Sequence, residues 1–171
     1  NNGPAGFGVQ TSAICCGGNN PPLTTTESWD GTSWTAVNSM NGGRRNFAGC
    51  GPETAGIVAA GQGPGGTVNS SETWDGTSWT ETNNLNSARR GNTMFGNNSS
   101  SAFCTGGGSS ANNEFWNGSS WTELNNLSTG RNDSGAGGSS VAGFVAGGPQ
   151  SGGSATEEWT ADAALSTVTV S

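Results

Sequence analysis

The sequence predicts a small all-β domain made of four repeated units, and three observations lead to that prediction. Tryptophan recurs at a regular interval: the leading residues Trp29, Trp74, Trp116 and Trp159 are separated by 45, 42 and 43 positions. Each is followed or preceded by short β-forming runs, and turn-forming residues lie between those runs. The poverty in Leu, Ile, Val and Phe, 21 of 171 residues, would by itself favour disorder. Only 10 % of residues are charged, however, and seven large indole rings favour a folded chain.

The first repeated element is a hairpin centred on Asp-Gly or Asn-Gly. It reads Glu27-Ser-Trp-Asp-Gly-Thr-Ser-Trp-Thr35 in the first unit and returns over residues 72–80 and 114–122. The fourth unit keeps only the first half, Glu157-Glu-Trp-Thr160. Asp-Gly between β-forming residues is a strong hairpin signal, because the tight turn needs positive φ. We therefore predict two strands on either side of each turn.

Two further elements share the same period. Short apolar runs that end in glycine cover residues 14–18, 57–61, 103–107 and 144–148, and an Asn-x-Met/Leu-x-x-x-Arg pattern covers 38–44, 83–89 and 125–131. Each unit is thus expected to contain four strands, giving about sixteen in all. We divide the single domain, residues 1–171, into units of approximately 1–43, 44–88, 89–130 and 131–171. In the last unit the alternation over residues 165–171 predicts an outer strand that replaces the Ser-Trp-Thr strand.

In combination these residues resemble kelch repeats: a Gly-Gly-terminated strand, an aromatic residue about a dozen positions later, a tryptophan five beyond it and then an arginine. The Trp-Asp-Gly-Thr-Ser-Trp version is similar to repeats carried by proteins of marine bacteriophages, cyanophages in particular. The resemblance covers essentially the whole chain. It implies a kelch-like β-propeller of about four four-stranded antiparallel blades, either as a closed ring or as part of a larger one.

The repeated Trp and Arg residues are expected to be structural. A buried indole removes roughly 200 Å² from water and could contribute on the order of 5 kcal/mol. Each Arg can pair with a carboxylate through its fixed fork of donors, and the Glu before each leading Trp also recurs once per unit. Arg45 and Arg90, which double the motif, are freer to face outward. The structural set comprises Trp29, Trp34, Trp74, Trp79, Trp116, Trp121, Trp159, Arg44, Arg89 and Arg131.

Several residue types are absent, which excludes classes of function. Without His, Lys or Tyr the chain has no imidazole chemistry, no Schiff-base lysine and no ligands for the copper oxidases of the kelch class. We expect no catalytic residue, metal site or cofactor, and hence not an enzyme. The four cysteines have no Cys-x-x-Cys spacing; Cys15 and Cys104 align with Ala59 or Val145 as small apolar residues, while a bridge such as Cys16–Cys50 remains an alternative.

The net charge of −7 makes a nucleic-acid partner unfavourable, and no apolar run is long enough to insert into a membrane. The abundance of Gly, Ser, Thr and Asn suits an extracellular or virion surface. The start at Asn1 suggests a processed end or a fragment, and whether the cysteines are oxidised is left open.

The loops between the glycine-ended strand and the first tryptophan strand differ from unit to unit. Such loops are candidates for recognition, although loops also drift in sequence without selection for binding. Their polar residues suit hydrogen bonding to sugars. The ligand-binding candidates are Asn19, Asn20, Gln62, Asn69, Asn112, Asn113 and Gln150.

We therefore expect a non-catalytic virion surface protein, on a tail fibre, tail appendage or capsid, that attaches to the host surface through a glycan. The alternatives are a purely structural decoration or fibre-building module, or a subunit of a bacterial extracellular filament. Other virion proteins and bacterial surface polysaccharide are the expected partners, and homo-oligomerisation is expected if strand edges stay open.

Overall fold

The chain forms four four-stranded antiparallel sheets that follow one another along the sequence. The computed structural model describes residues 3–148, 155–161 and 166–170. Each sheet is a meander, in which strands adjacent in sequence pair in space, and each lies inside one of the four repeat units. Among the described residues there is no helix, and so none that could cross a membrane.

The first two sheets contain eight strands, and a separate short hairpin adds two more. Sheet 1 consists of β1 (Ala5–Val9), β2 (Ser12–Cys16), β3 (Thr26–Trp29) and β4 (Trp34–Val37). Sheet 2 consists of β5 (Ala48–Cys50), β6 (Gly56–Ala59), β9 (Ser71–Trp74) and β10 (Trp79–Thr82). The extra hairpin joins β7 (Gln62–Gly63) to β8 (Gly66–Thr67) within the loop that follows β6.

Sheets 3 and 4 repeat the same arrangement. Sheet 3 consists of β11 (Thr93–Asn98), β12 (Ser101–Thr105), β13 (Asn113–Trp116) and β14 (Trp121–Glu123). Sheet 4 consists of β15 (Gly135–Gly138), β16 (Ala142–Ala146), β17 (Thr156–Ala161) and β18 (Ser166–Val170). The predicted outer strand of the last unit is present, since β18 pairs antiparallel with β17.

The hairpin turns form as the Asp-Gly signal predicts. In sheet 2 the Asp75 carboxylate accepts hydrogen bonds of 2.8 and 2.7 Å from the backbone N–H groups of Thr77 and Ser78. The next residue, Gly76, has φ of +94°, a conformation that side chains rarely adopt. Asn117 makes the same two bonds through its amide oxygen in sheet 3, so the turn requires the acceptor oxygen and not the charge.

The apolar core lies between successive sheets. One cluster joins sheets 1 and 2, a second joins sheets 2 and 3, and a third joins sheets 3 and 4. Phe7 of sheet 1, for example, lies directly on Gly49 and Gly56 of sheet 2, where an added Cβ would meet the ring within 3.0 Å. Because a repeat of this kind buries its face only against a neighbour, its stability depends on the contacts between units.

The strand register corrects one part of the cysteine alignment. Cys15 pairs with Glu27, and Cys104 with Glu114, at the position where Val58 pairs with Glu72 and Val145 with Glu157. The residue equivalent to Ala59 is therefore Cys16, not Cys15. All four cysteines are free, so the alternative of a Cys16–Cys50 bridge does not describe this structure.

Candidate functional site

The variable loops and the arginine linkers lie at the same end of the sheets. In a meander, the connection from the second to the third strand and the exit from the fourth strand lie at the same end of the sheet. Backbone bonds join the two directly: Gly18 N–H donates to the Arg44 carbonyl at 2.8 Å, and Gly107 N–H donates to that of Arg131 at 2.8 Å. We call this the loop end; the Asp-Gly turns lie at the other end.

Each repeated arginine clamps the next sheet onto the preceding one. Arg44, in the linker after sheet 1, donates through Nη2 to Glu72 Oε1 of sheet 2 at 2.7 Å and through Nη1 to the Ser70 carbonyl at 2.8 Å. Arg89 pairs with Glu114 of sheet 3, and Arg131 Nη2 lies 2.9 Å from Glu157 Oε1 of sheet 4. All six groups are almost completely buried, from 0 to 3 % exposed.

Backbone donors complete the environment of each buried carboxylate. Glu72 also accepts from the backbone N–H groups of Asn41 at 2.7 Å and Gly42 at 3.1 Å, and from Asn41 Nδ2 at 3.0 Å. The N–H groups of Asn86 and Ser128 do the same for Glu114 and Glu157. A buried charge is tolerated because its lone pairs are satisfied in this way.

The tryptophan pairs are also parts of the framework. The rings of Trp74 and Trp79 lie 5.2 Å apart, and those of Trp116 and Trp121 lie 5.4 Å apart, with similar tilts. The second indole of each pair reaches the preceding sheet: Trp79 Nε1 donates to Thr26 Oγ1 at 3.1 Å, and Trp121 Nε1 donates to Ser71 Oγ at 3.1 Å. Burial of these four rings removes them from contact with any ligand.

A polar pocket opens at the loop end between the second and third units. Its volume is about 480 Å³, and its walls come from β8, the linker after sheet 2 and the loop between β12 and β13. Hydroxyl, amide and backbone groups line it, together with one exposed guanidinium; no aromatic ring does. The lining residues are Thr67, Ser87, Ala88, Arg89, Arg90, Gly107, Gly108, Ser110 and Asn112.

Two of the loop candidates belong to this region. Asn112 lines the pocket and donates from Nδ2 to Ser87 Oγ at 3.2 Å, so part of its hydrogen-bonding capacity is used within the pocket wall. Gln62 accepts a hydrogen bond from Arg90 Nη1, and its backbone pairs with that of Arg45. Gln62 thus holds one wall of the loop end in place.

The remaining candidates divide into exposed, buried and undescribed residues. Asn19 and Asn20 are exposed in the first loop, away from the pocket lining. Asn69 is partly buried and donates to the Leu85 carbonyl at 2.8 Å, and Asn113 is only 3 % exposed, with Thr105 Oγ1 donating to its Oδ1 at 2.9 Å. The expectation that Asn113 is available for binding is therefore corrected: its β13 position turns it inward. Gln150 lies outside the described residues.

Sequence reasoning did not place Arg90, Thr67 and Ser110 among the binding candidates. The signal for Arg90 was the doubled arginine after the repeat motif. Three of the five arginines are used in buried ion pairs, whereas Arg45 and Arg90 make no ion pair with any carboxylate that the structure describes. Positive charge that is not neutralised locally therefore lies at the loop end of a chain with a net charge of −7.

The buried thiols do not form a reactive or metal-binding site. Burial raises the pKa of Cys50 to about 12 and that of Cys104 to about 11, so both stay protonated near neutral pH. Within the described ranges, no three acidic or thiol side chains come together as a metal site would require.

Comparison with known proteins identifies the type of fold but no family. No protein-family model matches the chain, and no curated protein sequence matches it significantly. Among the solved structures that match is that of YjhT, which has a β-propeller-like fold: the TM-score is 0.78 at 13 % sequence identity, over 99 % of this chain and 64 % of the YjhT chain. This chain thus spans just under two thirds of YjhT. The likeness shows an all-β, propeller-like arrangement of four-stranded antiparallel sheets and, at this identity, nothing about activity.

Proposed function

We propose that this chain is a non-catalytic surface module of a phage virion, a kelch-type propeller of about four blades, that attaches to bacterial polysaccharide through its loop end. The virion setting rests on the resemblance of the Trp-Asp-Gly-Thr-Ser-Trp units to phage kelch-type repeats. The attachment role rests on the polar pocket at the loop end, which is the observation that carries the proposal.

Apart from Arg89, the residues that hold the sheets together differ from those that line the pocket. Buried ion pairs and indoles repeat in successive units, as parts that hold sheets together would. The pocket lies where the repeated linker after sheet 2 meets two loops whose sequences do not repeat, those after β6 and β12. Binding residues are commonly found on loops positioned by a rigid scaffold. Its size is that of a typical small-ligand site, and its hydroxyl and amide groups can exchange hydrogen bonds with sugar hydroxyls.

The charge at the loop end favours an acidic sugar. Arg90 lines the pocket, is exposed, and is held by a neutral amide rather than by a carboxylate. A guanidinium in this setting can bind a sugar carboxylate or sulfate through two parallel hydrogen bonds. Polysaccharide with uronate or sulfate groups is therefore the ligand class that we propose.

Because no aromatic ring lines the pocket, each site is expected to bind weakly. Multiple copies on one particle would raise the avidity without any new contact, by a factor on the order of 10² to 10⁴. Display on a virion surface provides such multivalency.

The test is binding of fluorescently labelled protein to a panel of aquatic bacteria, with purified surface polysaccharides as competitors. Strain-restricted, saturable binding that one acidic polysaccharide abolishes would support the proposal. Arg90→Gln should weaken that binding at least tenfold. The matched control is Asn97→Ala, an exposed change at the opposite end of sheet 3, which should leave binding unchanged.

A structural role is the second candidate, and one observation favours it: no other sheet that the structure describes covers the face of sheet 1 that points away from sheet 2, where Trp34 is 50 % exposed. In that case the chain would be a decoration or fibre-building module of the virion, or a subunit of a bacterial extracellular filament. Failure to bind any strain, together with assembly into multimers or filaments, would favour this candidate and contradict attachment.

A further inference from the structure

The face of sheet 1 that points away from sheet 2 carries interface residues without their partners. Glu27 occupies the position of Glu72, Glu114 and Glu157, by the strand register. Those three carboxylates are at most 2 % exposed and paired with arginine, whereas Glu27 is exposed and makes no ion pair with any described residue. The same carboxylate is therefore present in four sheets and used in three.

The second tryptophan of the hairpin shows the same difference. Trp79 and Trp121 are each 7 % exposed because their indoles insert against the preceding sheet, whereas Trp34 is 50 % exposed. Cys15, equivalent to the fully buried Val58 and Cys104, is half-buried on this face. An open groove of about 480 Å³ lies beside these side chains, with Cys15 and Trp34 in its walls.

The three occupied interfaces show what the missing partner must supply. In each, the arginine lies four residues before the first strand of the sheet it clamps: Arg44 before Ala48, Arg89 before Thr93 and Arg131 before Gly135. Three residues before that arginine, a backbone N–H group donates to the same carboxylate. A Met or Leu of the linker packs into the interface, as Met40 and Leu85 do. The covering unit is always the one joined to the N-terminal side.

The corresponding position before β1 is Asn1, whose side chain carries no charge. A second copy of this chain is the less complementary occupant, because its linker arginines Arg44, Arg89 and Arg131 are already paired with carboxylates of their own chain. The complementary partner is thus a repeat unit followed by a linker of its own.

We propose that this face of sheet 1 is the docking site of a further repeat unit, joined on the N-terminal side of β1 and ending in the pattern Asn-x-Met/Leu-x-x-x-Arg. The arginine of that unit pairs with Glu27, its linker N–H groups donate to the same carboxylate, and its sheet covers Trp34 and Cys15. The inference concerns assembly and does not depend on glycan binding.

The test adds the missing unit to the whole chain. Residues 46–89 are duplicated and fused to Asn2, so that the added copy of Arg89 replaces Asn1. Docking predicts a blue shift of tryptophan emission, at least tenfold slower alkylation of Cys15, and a lower Tm for Glu27→Gln by several degrees in the extended chain but by less than about 1 °C in the original.

Two further variants keep the outcome decisive. Replacing the added arginine by Gln should reverse most of the Cys15 protection. If the duplicated unit does not fold, a seven-residue extension that repeats Asn83–Arg89 before Asn2 still supplies the arginine and the backbone donors, and Glu27→Gln should then lower the Tm of that chain.

Three results would overturn the proposal. The first is a folded extended chain in which Cys15 alkylation and Trp34 emission are unchanged. The second is a Tm that Glu27→Gln does not change in either of the two extended chains. The third is a dimer of the original chain, detected by sedimentation, whose formation protects Cys15, since the occupant would then be a second copy.

Discussion

The most informative single substitution is Glu72→Gln, because it removes the charge from one buried clamp while keeping the shape of the side chain. Glu72 is fully buried and accepts four hydrogen bonds, from Arg44, Asn41 and Gly42. The amide of Gln offers only one acceptor oxygen and turns an NH₂ group towards these donors. The Arg44 guanidinium is left in the interior without a counter-charge.

Breaking a buried ion pair by removing one partner costs about 3–5 kcal/mol. A domain of this size has a total stability of roughly 5–15 kcal/mol, so the variant should lose a large share of it. The Tm should fall by on the order of 10 °C. The matched control is Glu27→Gln, the same change at the exposed equivalent, which should shift the free energy of unfolding by no more than about 0.5 kcal/mol.

The assay is urea unfolding followed by tryptophan fluorescence, since the indoles report directly on the contacts between sheets. The midpoint of Glu72→Gln should fall while the slope with urea stays constant, which indicates a loss of stability and not a change in the unfolded state. A loss below about 1 kcal/mol, or equal losses in the two variants, would refute the claim that these ion pairs hold the sheets together.

Three further predictions follow from burial and hydrogen bonding. Trp79→Ala should lower the free energy of unfolding in urea by about 3–5 kcal/mol, whereas Trp34→Ala should lower it by less than half as much. Equal losses would contradict the claim that Trp34 lies on a face of sheet 1 that no other sheet covers. Backbone hydrogen bonds lower the pKa of Asp75, so its contribution to stability is complete above the unfolded pKa of about 4 and is lost as pH falls through the lower folded value. The measurement is a ¹³C NMR pH titration of the carboxyl groups, and a pKa of Asp75 at or above 4 would contradict the role of these hydrogen bonds. Asp75→Asn, which reproduces the residue at Asn117, should keep the turn and remove this carboxyl signal from the titration. In native protein near neutral pH, iodoacetamide should label Cys15 first, as peptide mass spectrometry would show; equal labelling of the buried thiols would contradict the packing of Cys16, Cys50 and Cys104.

The repeat pattern made the sheets predictable, because period and turn chemistry are local properties. Asp-Gly turns and glycine-ended strands specify where strands begin and end, and residues 165–171 showed their alternation even without a tryptophan. The partner of each arginine was less accessible. The sequence places a Glu in every unit, but only the structure shows that Arg44 pairs with Glu72 of the sheet that follows it and not with Glu27 of the sheet before it.

The binding candidates were harder to predict, because the orientation of a loop side chain depends on its neighbours. Asn113 looks like a loop residue in sequence, yet it begins β13 and bonds to Thr105 in the interior. Arg90 looks like a duplicate of a structural residue, yet it lies at the pocket. Composition cannot distinguish these two situations, since both residues are polar and adjacent to repeat motifs.

The most direct test of the attachment proposal is an NMR titration of the intact chain with fragments of an acidic bacterial surface polysaccharide. Glycan binding at the loop end predicts saturable shifts of the backbone amides that line the pocket, at Thr67, Arg90 and Gly107–Asn112, with the Asp-Gly turns unaffected. A titration without saturable shifts, or with shifts confined to those turns, would contradict glycan binding at the loop end.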